Sequence, residues 1–289
     1  MKEITVISGK GGTGKTSITA AFASLAKNTV FADCDVDAAD LHLIFKPEIK
    51  KTMGFHGLKI ASIDSDKCID CKKCYESCKF DAINENIKLI KESCEGCGVC
   101  AYVCPVDAIE MVDRDSGYAY ISDSRLGPLA HATLKTAEEA SGKLVTLVRE
   151  NAKDIAEYKK MDLIIIDGPP GIGCPVIASI TGVDLVLIVT EPTLSAIHDL
   201  ERIHSVANHF KIPAAVCINK YDINPENSMK IEEYCKKNNL SVVGKLPFDI
   251  IMTQAMINEK SIIEFSDGAL SQEIKDMWNK LQRILWADG

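Results

Sequence analysis

Short runs of aliphatic residues without polar alternation recur along this chain, and between them apolar positions fall at helical spacing. Leu163 to Ile166 is the clearest run, four apolar residues between Asp162 and Asp167, as in a strand buried on both faces. Residues 184–190 and 214–219 repeat the style, residues 3–8 open the chain with it, and shorter runs fall at 29–33 and 240–243. Helices are predicted at 14–27, 195–209 and 226–238. Strands and helices alternating in this way predict an α/β fold with a parallel sheet and helices on both faces. Near the end of the chain, Ile274, Met277, Trp278, Leu281, Ile284, Leu285 and Trp286 form a stripe at helical spacing within 270–286. A membrane-surface helix would set many cations opposite such a stripe. Lys275, Lys280 and Arg283 alone supply positive charge, so a closing helix docked on the core is expected.

Between 61 and 115 the pattern breaks. Cys68, Cys71, Cys74 and Cys78 read C-x2-C-x2-C-x3-C, and Cys94, Cys97, Cys100 and Cys104 repeat it 26 positions later. Asp81-Ala82-Ile83 recurs as Asp107-Ala108-Ile109, so the segment is an internal duplication. Its unit resembles the bacterial ferredoxin half, which holds one [4Fe–4S] cluster and sends its fourth cysteine to the other half's cluster. That pattern assigns Cys68, Cys71, Cys74 and Cys104 to one cluster, and Cys94, Cys97, Cys100 and Cys78 to the second. Zinc ribbons and disulfides are the alternatives. Zinc favours two separated pairs, and disulfides need an oxidising compartment, whereas the opening MKEITVISGK lacks the apolar run of a secretory signal. Cys104 is followed by Pro105 but Cys78 by Lys79, a departure that touches the turn and leaves the ligand count alone.

Charge and length narrow the partners. The 289 residues carry a net charge of 33 − 41 = −8, which argues against general nucleic-acid binding. No apolar run reaches membrane-spanning length, so no stable membrane insertion is expected, and the twelve cysteines suit a reducing cytoplasm. From Asp64 to Asp115 there are twelve acidic and seven basic side chains, and an acidic insert calls for a partner with a basic docking face.

Gly9-Lys10-Gly11-Gly12-Thr13-Gly14-Lys15-Thr16 fits G-x4-G-K-[ST] between a predicted strand and helix, the context of a phosphate-binding loop. Its glycines let backbone N–H groups turn toward phosphates at the positive end of the helix. Lys15 is expected to reach the β- and γ-phosphates and the Thr16 hydroxyl to bind Mg²⁺, with Ser17 counted among the nucleotide-binding residues. Asn219-Lys220-Tyr221-Asp222 follows a strand and matches the N-K-x-D string whose aspartate reads guanine in GTPases.

With its additional Lys10, the string GKGGTGKT resembles the deviant Walker A form of the MinD/ParA/Mrp group, which includes the nitrogenase iron protein, among the SIMIBI-type P-loop ATPases. Together with the eight cysteines, it resembles the members of that group that contain an inserted ferredoxin domain. The resemblance implies an ATPase domain over 1–60 and 116–289 and a ferredoxin-like insert over 61–115. It implies that two chains sandwich ATP, with Lys10 reaching the partner's phosphates. Asp35 would orient the attacking water and Asp33 would touch the Mg²⁺ shell, although either carboxylate also suits a helix cap. Asp167 looks like the Walker B aspartate, and Gly168-Pro169-Pro170-Gly171 resembles the second switch, in which the Gly171 N–H senses the γ-phosphate. Asn219 and Lys220 would sit at the base and the loop containing Pro247 beside the adenine, favouring ATP over GTP. Lys143 and His131 are candidates for contacts at the switches. Cys174 lies seven residues after Asp167, as a cluster-ligating cysteine does in the nitrogenase iron protein, with buried packing as the alternative. The implied cofactors are ATP, Mg²⁺ and two [4Fe–4S] clusters, and the implied partners a second copy of the chain and a redox or cluster-acceptor protein. Three functions fit: electron transfer coupled to a nucleotide-driven dimer switch, cluster assembly or carriage of the Mrp type, and positioning of the ParA type with structural clusters.

Overall fold

A computed structural model describes residues 1–135, 138 and 141–287. The chain opens with β1 (Lys2–Ser8), α1 (Lys15–Leu25), β2 (Thr29–Asp33) and α2 (Leu41–Phe45). A long strand, β3 (Glu48–Ile63), leads to the cysteine-rich segment with its short helices α3 (Lys73–Ser77) and α4 (Val99–Tyr102), and β4 (Ile109–Asp123) leads away from it. Then come β5 (Leu129–Leu134), α5 (Gly142–Lys159), β6 (Leu163–Pro170), α6 (Cys174–Ile180), β7 (Leu185–Thr190) and α7 (Leu194–His209). The chain ends with β8 (Ala214–Asn219), α8 (Pro225–Lys237), β9 (Ser241–Leu246), α9 (Ile250–Ile257), α10 (Ile262–Phe265) and α11 (Ala269–Leu285).

The strand order is β3-β4-β5-β2-β6-β1-β7-β8-β9, and the pairings from β5 to β9 are parallel. β6 lies between β2 and β1, and its residues from Leu163 to Asp167 are wholly buried, which explains a run with no polar alternation. Registry places Asp33 of β2 opposite Asp167 of β6, so two carboxylates leave neighbouring strands side by side at their C-terminal ends. Ligands of open α/β sheets bind at such ends.

The α11 stripe docks on the core, with Ile274, Met277, Trp278, Leu281 and Leu285 buried and the Trp278 ring 4.9 Å from Phe22 of α1. Ile284 and Trp286 do not join that face. They are 37% and 43% exposed, because the helix turns them away and Trp286 is already its C-cap.

The chain divides into two compact units, Met1–Thr52 with Ala119–Thr133 and Ala140–Gly289, and Met53–Tyr118 with Leu134–Glu139. The smaller unit is wider than the stretch 61–115, because β3 and β4 run through its limits as continuous strands and no loop marks the change. Within it, Arg114 pairs with Glu138 and Lys135 with Asp115, tying the later segment to β4.

Candidate functional site

The loop from Gly9 to Gly14 joins β1 to α1, and Lys15 and Thr16 open the helix. Gly14 adopts φ 91°, and a Cβ there would fall 2.4 Å from Asn219 Nδ2, so the loop needs glycine on both counts. Asn219 in turn donates to the Thr13 carbonyl at 2.7 Å, which brings the N-K-x-D segment against the loop. Lys15 is buried, its Nζ 3.1 Å from Asp35 Oδ2 and 3.0 Å from Asp167 Oδ1. Thr16 and Thr19 donate to Asp167 at 2.8 and 3.0 Å. Asp33 accepts the Asp35 N–H at 3.2 Å and lies buried beside them.

Three buried carboxylates thus face one lysine. Burial lowers the Lys15 pKa, but Asp167 and Asp35 outweigh it and hold the ammonium above its ordinary value. Burial, followed by the charge on Asp167, pushes Asp33 well above the usual carboxylate range, and burial raises Asp35 as well. The excess of negative charge fits a divalent cation, with the Thr16 hydroxyl and the carboxylates as its direct or water-bridged partners. The Thr13 Oγ is buried without a partner, an unused donor inside the loop. The Gly11, Gly12 and Gly171 α-carbons face open space, as a loop that admits phosphates must.

On the other side of the loop, Glu191 joins two lysines. Its Oε1 lies 2.9 Å from Lys10 Nζ and its Oε2 3.1 Å from Lys220 Nζ. Lys10 also donates to Thr193 and Ser195, and Lys220 to the Gly12 carbonyl at 3.0 Å. Burial pushes Glu191 up, but Lys10 and Lys220 together hold it below the usual glutamate value. Nothing in the local string Glu191-Pro192-Thr193 marked this residue. It was missed because its role depends on two lysines distant in sequence.

Several expected residues lie elsewhere. The Ser17 hydroxyl faces α9, bonded to Met256 Sδ at 2.9 Å, rather than the carboxylates. Pro247 is half-buried in a loop held by Asp222, whose carboxylate accepts the Phe248 N–H at 2.7 Å. His131 is buried on β5, bonded to Ser122, and burial with His42 pushes it down to about 4, leaving a neutral ring. Lys143 is exposed in the first turn of α5. Cys174 is exposed at the start of α6, so buried packing does not account for it.

The cysteines surround two cavities. One is lined by Cys68, Cys71, Cys74 and Cys104; the other by Cys94, Cys97, Cys100 and Cys78. The fourth cysteine of each half therefore lines the other half's cavity. Both fourth sulfurs accept backbone N–H groups at matching positions, Cys78 from Ala82 at 3.4 Å and Cys104 from Ala108 at 3.3 Å. The duplication is also written in the backbone. Asp70 and Gly96, Lys72 and Gly98, and Asp81 and Asp107 all have positive φ, each pair 26 residues apart. Four soft thiol donors around each apolar cavity fit an iron–sulfur cube, and the N–H donors would stabilise its negative charge.

Residues 61–111 match the 4Fe-4S dicluster domain family, and residues 140–282 match the family described as NUBPL iron-transfer P-loop NTPase. A protein of Methanocaldococcus jannaschii, MJ0578, is 37% identical over 287 residues, 98% of this chain and 97% of that one. The pyruvate synthase subunit PorD of Methanothermobacter marburgensis is 45% identical over 49 residues, 17% of this chain and 60% of that one. Among solved structures, the septum site-determining protein MinD of Pyrococcus horikoshii, complexed with Mg-ADP, superposes with a TM-score of 0.60 at 15% identity, covering 100% of this chain and 98% of that one. The chain belongs to the family it shares with MJ0578, P-loop NTPases of MinD/ParA fold that carry a 4Fe–4S dicluster domain.

Proposed function

We propose that the protein is an ATPase in which closure of an ATP-bridged homodimer is coupled to electron transfer through two [4Fe–4S] clusters. The observation that carries this reading is the pair of cavities with complete four-cysteine sets, since a cluster destined for delivery needs a labile, incompletely held site. When bound, such clusters accept and release single electrons.

On ATP binding, Lys15 would leave Asp35 and Asp167 for the β- and γ-phosphates, freeing both carboxylates for Mg²⁺-bound and attacking water. Lys10 would leave Glu191 and reach the partner chain's phosphates, adding positive charge where it builds up in the transition state. Asp222 Oδ1 accepts the Phe248 N–H, an internal bond that competes with this carboxylate reading a guanine edge and so supports adenine.

A second reading, ATP-gated delivery of a cluster, is favoured by the match to the iron-transfer NTPase family. One experiment separates them. Anaerobically purified protein, with about eight irons per chain on the dicluster pattern, is given Mg-ATP in the presence of an apo-ferredoxin. A shifted cluster midpoint potential with iron retained supports electron transfer, whereas iron moving to the apo-protein overturns it in favour of delivery.

A further inference from the structure

The two cavities do not meet the surface alike. Beside the Cys68 cavity runs an open groove, and Ile63, Cys68 and Ile87 line both. The groove is therefore separated from that cavity by single side chains, one of them a proposed cluster ligand. Lys88 and Lys91 stand along it against Asp70. Both lysines are exposed, and neither has an ion-pair partner among the described residues. Lys72 and Lys73, equally unpaired, line the cavity itself. The other cavity has Glu95 as its one charged lining residue among those described. An insert that is acidic as a whole thus shows locally positive charge beside one cysteine set.

We infer that this groove docks an acidic electron-carrier protein, which exchanges electrons with the cluster held by Cys68, Cys71, Cys74 and Cys104. The sign is opposite to the partner that the insert's total charge calls for, because docking is decided by the charges within about one Debye length of the contact, roughly 10 Å at 0.1 M salt. Unpaired lysines favour it further, since they lose no internal ion pair when a carboxylate arrives. One electron leaves the carrier's reduced centre and enters the cluster, taking it from the 2+ to the 1+ state, with no atom transferred. Cys68 and the apolar wall give that electron a short path. The inference rests on the electron-transfer reading above.

The test uses the full iron-loaded chain and a plant-type [2Fe–2S] ferredoxin, an acidic carrier, as probe. Binding of the oxidised carrier is measured by calorimetry at increasing salt, and reduction of the clusters by the reduced carrier is followed in stopped flow. Lys88→Glu with Lys91→Glu is expected to weaken binding and slow reduction about tenfold at low salt, the difference closing as salt rises. Lys59→Glu with Lys79→Glu makes the same charge change on exposed lysines outside the groove and is the control. Unchanged dithionite-reduced EPR spectra verify that both variants keep their clusters. Equal weakening in both double variants, or none in either, overturns the groove. Groove-dependent binding with no electron transferred in the unmutated chain leaves the docking surface standing and overturns the electron-transfer reading.

Discussion

A lysine ammonium between two buried carboxylates offsets part of the cost of taking all three charges out of water. Lys15→Ala removes the cation and strands Asp35 and Asp167, a loss of about 3–5 kcal/mol when one partner of a buried pair is deleted. The variant is expected to melt earlier and to gain nothing from Mg-ATP, where the unmutated chain gains about 2.7 kcal/mol at a hundred times its Kd. Differential scanning calorimetry with and without nucleotide checks both. Asp33 tells the opposite story. Its raised pKa means the folded state keeps a proton that the unfolded chain has released, so this group costs the nucleotide-free protein stability as pH rises from about 3.9 through the raised value. Asp33→Asn keeps the acceptor for the Asp35 N–H, and should flatten that pH dependence and raise the neutral-pH melting temperature by about 2–4 °C per kcal/mol relieved. Melting curves from pH 5 to 8 with an unaltered slope would refute it. At Glu191 the expected effect is on assembly. Glu191→Gln frees Lys10 from a half-exposed ion pair and should lower the ATP concentration for half-maximal dimer formation about two- to fivefold, read by light scattering.

At the level of elements, legibility followed burial. β2 and β8 fall at the residues their apolar runs mark, and β6 extends its run to Pro170, because a strand buried on both faces leaves nothing polar to confuse the reading. The fold of the P-loop NTPase unit and the phosphate loop were legible for that reason. β3 was not, since most of its residues from Glu48 to Ile63 are exposed, and three lysines and two glycines hide the strand. α5 was not predicted either, although Lys143 in its first turn was singled out as a candidate switch contact. Cysteine spacing carried the interleaved grouping of the eight thiols, while Glu191 and the groove depend on residues that only folding brings together. The duplicated loops give a prediction of their own. A Cβ at Gly96 would fall 2.2 Å from the Lys59 carbonyl oxygen of β3, whereas Gly98 meets nothing closer than Met111 at 4.0 Å. Gly98→Ala should therefore cost only its left-handed backbone, about 1–2 kcal/mol, and Gly96→Ala distinctly more. Thermal denaturation of the iron-loaded chain ranks them, and equal losses would mean that β3 gives way. Asp70, the counterpart of Gly96, keeps a side chain at the same left-handed φ, so the close approach belongs to the second half.

At the scale of the whole molecule, a P-loop NTPase unit of MinD/ParA fold carries a small unit whose two halves each line the other's cysteine cavity. That crossing is open to a direct test. Cys104→Ser should disturb the same EPR signal as Cys71→Ser, and Cys78→Ser the same one as Cys97→Ser, although in each case the two cysteines come from opposite or distant turns of the sequence. Pairing by sequence half instead would mean that the fourth thiols stay at home. The exchange of Cys78 and Cys104 also bears on descent. A solitary half would offer three thiolates to its own cube and aim the fourth at nothing, so a single half is complete only beside a copy of itself. In the fused chain neither half completes its cysteine set alone, so neither can be lost, shuffled away or replaced without the other.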